Sequence, residues 1–300
     1  MPFTDIPFTE STRRALDAHW GLRFPGDPVR LHGGEESAAF AVGDHVVRVG
    51  PEWRGTEEAE WCYAIAAHAS TEVPEVVAPV ATADGRAVVR VDGRPMSVWP
   101  LVPGRWPTRE TPGAPAQAAS LLARLHRSLA GMQPPPRPVP SGLEPGLDGS
   151  EPPAEPALAD PELDSWLAEF HRTHRERQAV HGDFYPGNTL TDGGALTAVV
   201  DWDEACVVPP AVEVAYAALE WAEQEPAIDT AAVRSFVQAY AAADGPAGLL
   251  DEETLAQLIR HRLRREVVSF HEQRRLGVAH DAEDLAYHAR RLEIFAELRP

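Results

Sequence analysis

The sequence predicts an α+β chain in two units: a small antiparallel sheet with one helix, then a larger and mainly helical part. Three observations carry this. Residues 29–49 alternate apolar and polar side chains around two turn signals, HGGEES and GD; one helical stripe follows; and beyond residue 102 the apolar period is helical almost to the end. At 300 residues and 44% hydrophobic content, the chain has enough material for two packed cores.

The elements follow in order. A helix is expected over 9–20, containing STRRALDAHW. VRLHGGEESAAFAVGDHVVRV then reads as strand, Gly-rich turn, strand, tight turn and strand. In EEAEWCYAIAAHAS, Glu58, Cys62, Ile65 and Ala69 fall on one helix face, and an acid on that apolar stripe requires a partner. EVVAPVAT, AVVRV and MSVWPLVPG read as further strands, giving a sheet of about five that ends near residue 100. Pro100, Pro103 and Gly104 mark a hinge, so the units are set at 1–101 and 102–300.

The second unit opens with AQAASLLARLHRSL, where Leu121, Leu122, Leu125 and Leu129 share a stripe. Residues 133–161 hold ten prolines from Pro134 to Pro161, a composition that sustains neither helix nor inner strand, and are read as an extended surface insertion. Helices resume at LDSWLAEFHRTHRERQ, AVEVAYAALEWAEQ and TAAVRSFVQAYAAA, and fill most of 251–298.

The formal net charge of −19 repels nucleic acid and anionic membrane and favours a cationic partner. Cys62 and Cys206 stand far apart without a CxxC and are read as packed thiols. MPFTDIPFTESTRR lacks a basic region leading into an apolar run, and no apolar run is long enough to span a bilayer, so a cytoplasmic protein is expected. The oligomeric state is left open.

Chemistry concentrates in HGDFYPGN, residues 181–188. Asp183 and Asn188 are five residues apart across a Pro-Gly turn, and the strand, DGG turn and strand that follow bring Asp201 of DWDE back beside Asn188. Oxygen ligands in so small a number suit Mg²⁺ completed by substrate phosphates, hence phosphoryl transfer. Asp183 is the candidate acceptor of a hydroxyl proton, and Asn188 and Asp201 are the candidate metal ligands.

HGDFYPGN followed by DWDE resembles the HxDxxxxN catalytic loop and metal-binding acid of the aminoglycoside phosphotransferase family, which is similar in fold to protein kinases. The resemblance implies a protein-kinase-like two-lobed fold, ATP or GTP with Mg²⁺, and a small-molecule hydroxyl acceptor. It makes HGGEES a loop over the nucleotide phosphates, with Gly33, Gly34 and Ser37 in contact. Arg48 of VVRV stands where kinases carry lysine, a departure that changes the donor geometry. Glu58 is its expected ion-pair partner. VWPLVPG, with Trp99 and Leu101, resembles the segment whose backbone meets adenine. His181 and Asp203 take supporting roles, and Glu213 stands where the family has an aspartate anchoring the loop. Glu220 and Glu223 are candidates for binding acceptor amines. The implied acceptors are aminoglycoside-like antibiotics, amino sugars and related metabolites, in antibiotic resistance or biosynthesis. Two other readings share these residues: a kinase of peptide Ser or Thr, and a nucleotide-binding module without transfer.

Overall fold

The computed structural model describes residues 5–31, 36–108, 110–150, 153, 155–224 and 227–299, and of 223, 224 and 227 the backbone alone. The chain opens with α1 (Glu10–Ala15), capped by the Thr9 hydroxyl on the Thr12 N–H, and continues as a wide helical turn over Leu16–Trp20. Five strands then form an antiparallel sheet: β1 (Val29–Arg30), β2 (Ala38–Val42), β3 (His45–Val49), β4 (Val88–Val91) and β5 (Arg94–Pro100), in the order β1-β2-β3-β5-β4. The two-residue period sorts their faces. Phe40, Val42, Val47, Val49 and Val98 pack with Ile6 and Leu16 on one side. Arg48, between Val47 and Val49, points to the other side and shares a recess with Tyr63 of α2 (Thr56–Ala69).

Helix α2 buries Ala59, Cys62, Ile65 and Ala69 in the same core as the helices that follow, so it joins the sheet to the rest of the molecule. Residues 75–82, expected as a strand, stay outside the sheet. Pro79 brings no N–H to a ladder, and nearby backbone is spent elsewhere: Val77 donates to the Val199 carbonyl at 3.1 Å and Val199 to the Glu75 carbonyl at 2.7 Å. That stretch is instead a second tie to the part of the chain beyond residue 102.

The helical part comprises α3 (Ala114–Leu129), α4 (Pro161–Thr173), α5 (Pro210–Ala222), α6 (Thr230–Ala242), α7 (Glu252–Arg275) and α8 (Ala282–Glu297). Leu121, Leu122, Leu125 and Leu129 of α3 are buried, as their stripe requires. Asp160, Asp229, Asp251 and Asp281 cap the first turns of α4, α6, α7 and α8. Helix α4 ends at Thr173, earlier than the expected Gln178, because 171–177 offer no apolar side chain and lie exposed. Gln178 instead opens β6 (Gln178–Val180), which pairs with β9 (Cys206–Val208). Between them β7 (Thr189–Asp192) and β8 (Ala195–Val199) form the expected hairpin, with Gly193 and Gly194 both at positive φ, 57° and 88°.

Residues 133–161 are more than a surface insertion. Their prolines exclude helix and ladder, yet Leu143, Leu147 and Leu158 are buried in the main core, and the Trp61 indole of α2 donates to the Pro135 carbonyl at 2.7 Å. The segment is a strap. Both cysteines are buried free thiols. Among the described residues no helix is long and apolar enough to cross a membrane.

Candidate active site

Asp183 lies on the loop between β6 and the short turn Pro186–Asn188. Gly182 adopts φ 87°, and a Cβ there would stand 1.9 Å from the Glu204 carbonyl oxygen, so only glycine lets this loop lie on the DWDE turn. The loop is then held from below. Glu213, in the first turn of α5, accepts from the backbone N–H groups of His181, at 3.2 Å, and of Gly182. His126 closes on the same carboxylate at 2.7 Å and on the Tyr240 hydroxyl at 2.8 Å. Burial holds the His181 imidazole below its ordinary pKa, hence neutral. Its Nδ1 accepts from the Asp183 N–H at 3.2 Å, so Nε2 carries the proton and donates to the Val200 carbonyl at 3.0 Å. The Trp202 ring packs 4.6 Å from the His181 ring, and Phe184 is buried beside them.

Asn188 donates from Nδ2 to both the Asp183 carbonyl and Asp183 Oδ2, each at 2.9 Å. That orientation leaves its Oδ1 as the atom for a cation. The Val200 N–H donates to the Asn188 carbonyl at 3.0 Å, which places the end of β8, and with it Asp201, beside Asn188. Asp201 has φ 61°, a left-handed conformation that aspartate tolerates better than most residues.

Arg48 spans the two aspartates of DWDE, 3.2 Å from Asp201 Oδ1 and 3.0 Å from Asp203 Oδ2. Arg54 adds a second guanidinium to Asp203 Oδ2. Burial pushes the Asp203 carboxyl up, but Arg48 and Arg54 outweigh it and hold the group below the usual carboxylate range. The expected Arg48–Glu58 pair therefore does not form. Glu58 is buried on α2 as its stripe requires, and its carboxylate is met by Arg137 at 3.1 Å and by Arg54 at 3.9 Å. The reason is reach: the DWDE turn sits directly before Arg48, so the strand cation satisfies those acids first.

At Asp183, burial pushes the pKa up to about 7 against the pull of Arg262, with Asp201, Glu220 and Glu204 adding to the rise. The side chain keeps 32% of its surface exposed, so it remains reachable. Arg262 of α7 stands 3.7 Å from Asp183 Oδ1, is held by Glu266 at 2.5 Å and lies over the Tyr216 ring at 5.5 Å. No sequence pattern marked it, because it is one of several arginines in a helix whose register toward Asp183 is tertiary.

The other expected positions divide. Ser37 is buried and lines the recess with Arg48, Arg54 and Tyr63. Gly33 and Gly34 lie outside the described residues. Trp99 is buried, its ring edge-on to Tyr63 at 4.7 Å and its indole N–H on the Ser97 hydroxyl at 2.8 Å. The Leu101 N–H is given to the Asp44 carbonyl at 2.9 Å. Glu220 is paired with Arg291 at 2.7 Å, and the Glu223 side chain lies outside the described residues. No group of three or more His, Cys, Asp or Glu able to hold a metal occurs among the described residues. Asn188 and Asp201 still fit Mg²⁺, which takes few protein oxygens and completes its shell with phosphates and water.

Residues 27–258 match the sequence model of the APH family, described as a phosphotransferase enzyme family. The chain belongs to this family. This phosphotransferase is 25% identical to the homoserine kinase of Gluconacetobacter diazotrophicus over 262 residues, 78% of each chain. It is 29% identical to the homoserine kinase of Pseudomonas aeruginosa over 169 residues, so there the match spans about half of each, 53%. Among solved structures, amicoumacin kinase hAmiN in complex with AMP-PNP, Ca²⁺ and Ami superposes with a TM-score of 0.70 at 17% identity, over 92% of this chain and 90% of that one. A choline/ethanolamine kinase family protein from Mesorhizobium loti gives a TM-score of 0.63 at 18% identity, over 97% and 95%. The phosphotransferase thus has the protein-kinase-like fold and is a small-molecule phosphotransferase.

Proposed function

We propose that this phosphotransferase moves the γ-phosphoryl group of ATP, or GTP, to a hydroxyl of a small molecule, with Asp183 accepting the hydroxyl proton. The observation that carries this reading is one half-buried carboxylate, fixed by Asn188 on a loop that also faces Asp201, with burial pushing its pKa up to about 7. A general base with its pKa near the working pH is both ionised and basic enough to take a proton in flight. In this reading residues 1–101 carry the nucleotide and 102–300 the loop and the acceptor.

Arg48 neutralises phosphate oxygens, exchanging part of its hold on Asp201 and Asp203 for them. Ser37, in the recess beside Arg48, meets the phosphates in this reading, and Trp99 and Leu101 border the base. Asn188 Oδ1 and the Asp201 carboxylate would hold Mg²⁺, whose charge would offset the negative charge on the phosphates. Asp203 keeps Arg48 and Arg54 in place, while His181 and Glu213 keep the loop's shape. Asp183 orients the acceptor oxygen toward the γ-phosphorus, so the rate rests on positioning and charge compensation. The AMP-PNP and Ca²⁺ held by amicoumacin kinase support a nucleotide and a divalent cation in this fold.

The wall beside Asp183 is of mixed sign, with Arg262, Glu266 and the Arg291-paired Glu220. It suits a small acceptor that carries an amine as well as a hydroxyl: an aminoglycoside-like antibiotic, an amino sugar or a related metabolite. The test is Asp183→Asn. Transfer should fall by about 10²- to 10⁴-fold while Mg·ATP binding, followed by calorimetry, stays at the wild-type level. Full transfer in the variant would remove Asp183 from the base role.

A further inference from the structure

The strap over 133–161 sends one charged side chain into the site. The Arg137 side chain is buried, and its Nη2 lies 3.1 Å from Glu58 Oε1, 3.0 Å from the Asp203 carbonyl oxygen and 3.7 Å from Cys62 Sγ. Its guanidinium also lies over the Trp61 ring at 5.9 Å, and the same indole donates to the Pro135 carbonyl two residues upstream. Further along the strap the Gly142 N–H donates to Glu204 Oε2 at 3.0 Å. One segment therefore grips α2 of the sheet unit, through Trp61, Cys62 and Glu58, and the DWDE turn of the catalytic unit, through Asp203 and Glu204.

We propose that Arg137 is a positioning residue of the nucleotide site. It supplies from the strap the nearer of the two cations that meet Glu58, and so fixes α2 and the DWDE turn against each other. The inference rests on the nucleotide reading above. Arg48 is occupied by Asp201 and Asp203, and Arg54, itself held by Asp203, reaches Glu58 only at 3.9 Å, so the buried carboxylate on α2 draws its closer cation from elsewhere. Arg137 fills that need from a part of the chain beyond the sheet. It touches neither end of the Asp183–Asn188 pair; its effect on phosphates passes through Glu58 and the backbone of Asp203. One charged nitrogen, Nη2, meets the carboxylate and the carbonyl together, contacts that an ammonium can also make.

The experiment titrates Mg·AMP-PNP into the full-length protein by calorimetry, for the wild type, Arg137→Gln, Arg137→Lys, Glu58→Gln and the double variant Arg137→Gln/Glu58→Gln. Removing a partner that orients ligand-contacting groups should weaken nucleotide binding by roughly tenfold in Arg137→Gln. The lysine should restore most of it. Because the two residues act as one unit, the double variant should bind no more weakly than the worse single one. The KM for ATP should rise with kcat changing less, a split that general loss of fold does not give. If Arg137→Gln does not fold, Glu58→Gln alone must show the nucleotide defect, since it removes the same pair and leaves the strap's packing in place. Wild-type affinity in a folded Arg137→Gln or in Glu58→Gln, or additive losses in the double variant, would overturn the proposal while leaving the nucleotide reading intact. A wild-type protein that binds no nucleotide would instead overturn that reading, and this inference with it.

Discussion

At the residue scale the account turns on Asp183 and the groups that tune it. A carboxyl raised to about 7 must lose its proton before it can take one from an alcohol, so kcat/KM should rise as pH increases through about 7. Arg262 opposes that rise in pKa. Arg262→Gln should therefore shift the acidic limb to higher pH, read from a pH profile of the two enzymes. The same group acts on stability, with a definite sign. The folded state keeps this proton above pH 3.8, the ordinary value, while the unfolded chain releases it, so Asp183 lowers stability progressively between that pH and about 7. Asp183→Asn should match the wild type in melting temperature near pH 4 and exceed it at pH 8; an equal difference at both would contradict the cause given. Much of this was open to sequence reasoning. The five-residue spacing within a single loop determines how Asn188 meets Asp183, and a glycine hairpin determines where Asp201 returns. Arg54, Arg137 and Arg262 were not open to it, because each comes from a different stretch and only the folded chain brings them to Glu58, Asp203 and Asp183.

At the element scale the loop's precision depends on α5 more than on the loop itself. Glu213 takes two backbone N–H groups and His126 in a buried place. Glu213→Ala orphans all of them and should cost about 3 kcal/mol or more, measured by denaturant unfolding. If the loop instead held its own shape, the loss would stay near that of a surface change. Helix α3 offers an independent check: Leu122 is fully buried on its stripe, and Leu122→Ala should cost about 2–5 kcal/mol. Such stripes were legible because a period of residues reports burial directly. Residues 75–82 were misread for the converse reason. Their apolar run resembles a strand, but Pro79 breaks the ladder: the Val77 and Val199 hydrogen bonds tie 75–77 to β8, while the Val80 N–H meets the Val98 carbonyl of β5 at 2.7 Å. The Pro-rich strap was read as surface because composition predicts the absence of helix and strand, not the absence of burial.

At the scale of the whole molecule, residues 75–77 on β8 and the strap on α2 and the DWDE turn add to the Arg48 and Arg54 ion pairs that join the sheet unit to the loop region. The overall charge of −19 adds a field that gathers cations and repels polyanions. An amine-rich acceptor should accordingly bind more weakly as ionic strength rises, whereas an affinity indifferent to salt would argue for an acceptor recognised by shape and hydrogen bonds alone. Salt dependence thus sorts acceptor classes without knowledge of the exact molecule. The central claim, transfer of a phosphoryl group from nucleotide to a small-molecule hydroxyl at Asp183, is tested most directly by mass spectrometry. A pool of aminoglycosides, other hydroxylated antibiotics, amino sugars, amino alcohols, hydroxylated amino acids and short peptides is incubated with Mg·ATP and the protein. The account predicts that one small-molecule species gains a phosphate with the wild type and not with Asp183→Asn; a gain confined to the peptides, or one that persists unchanged in the variant, would contradict it.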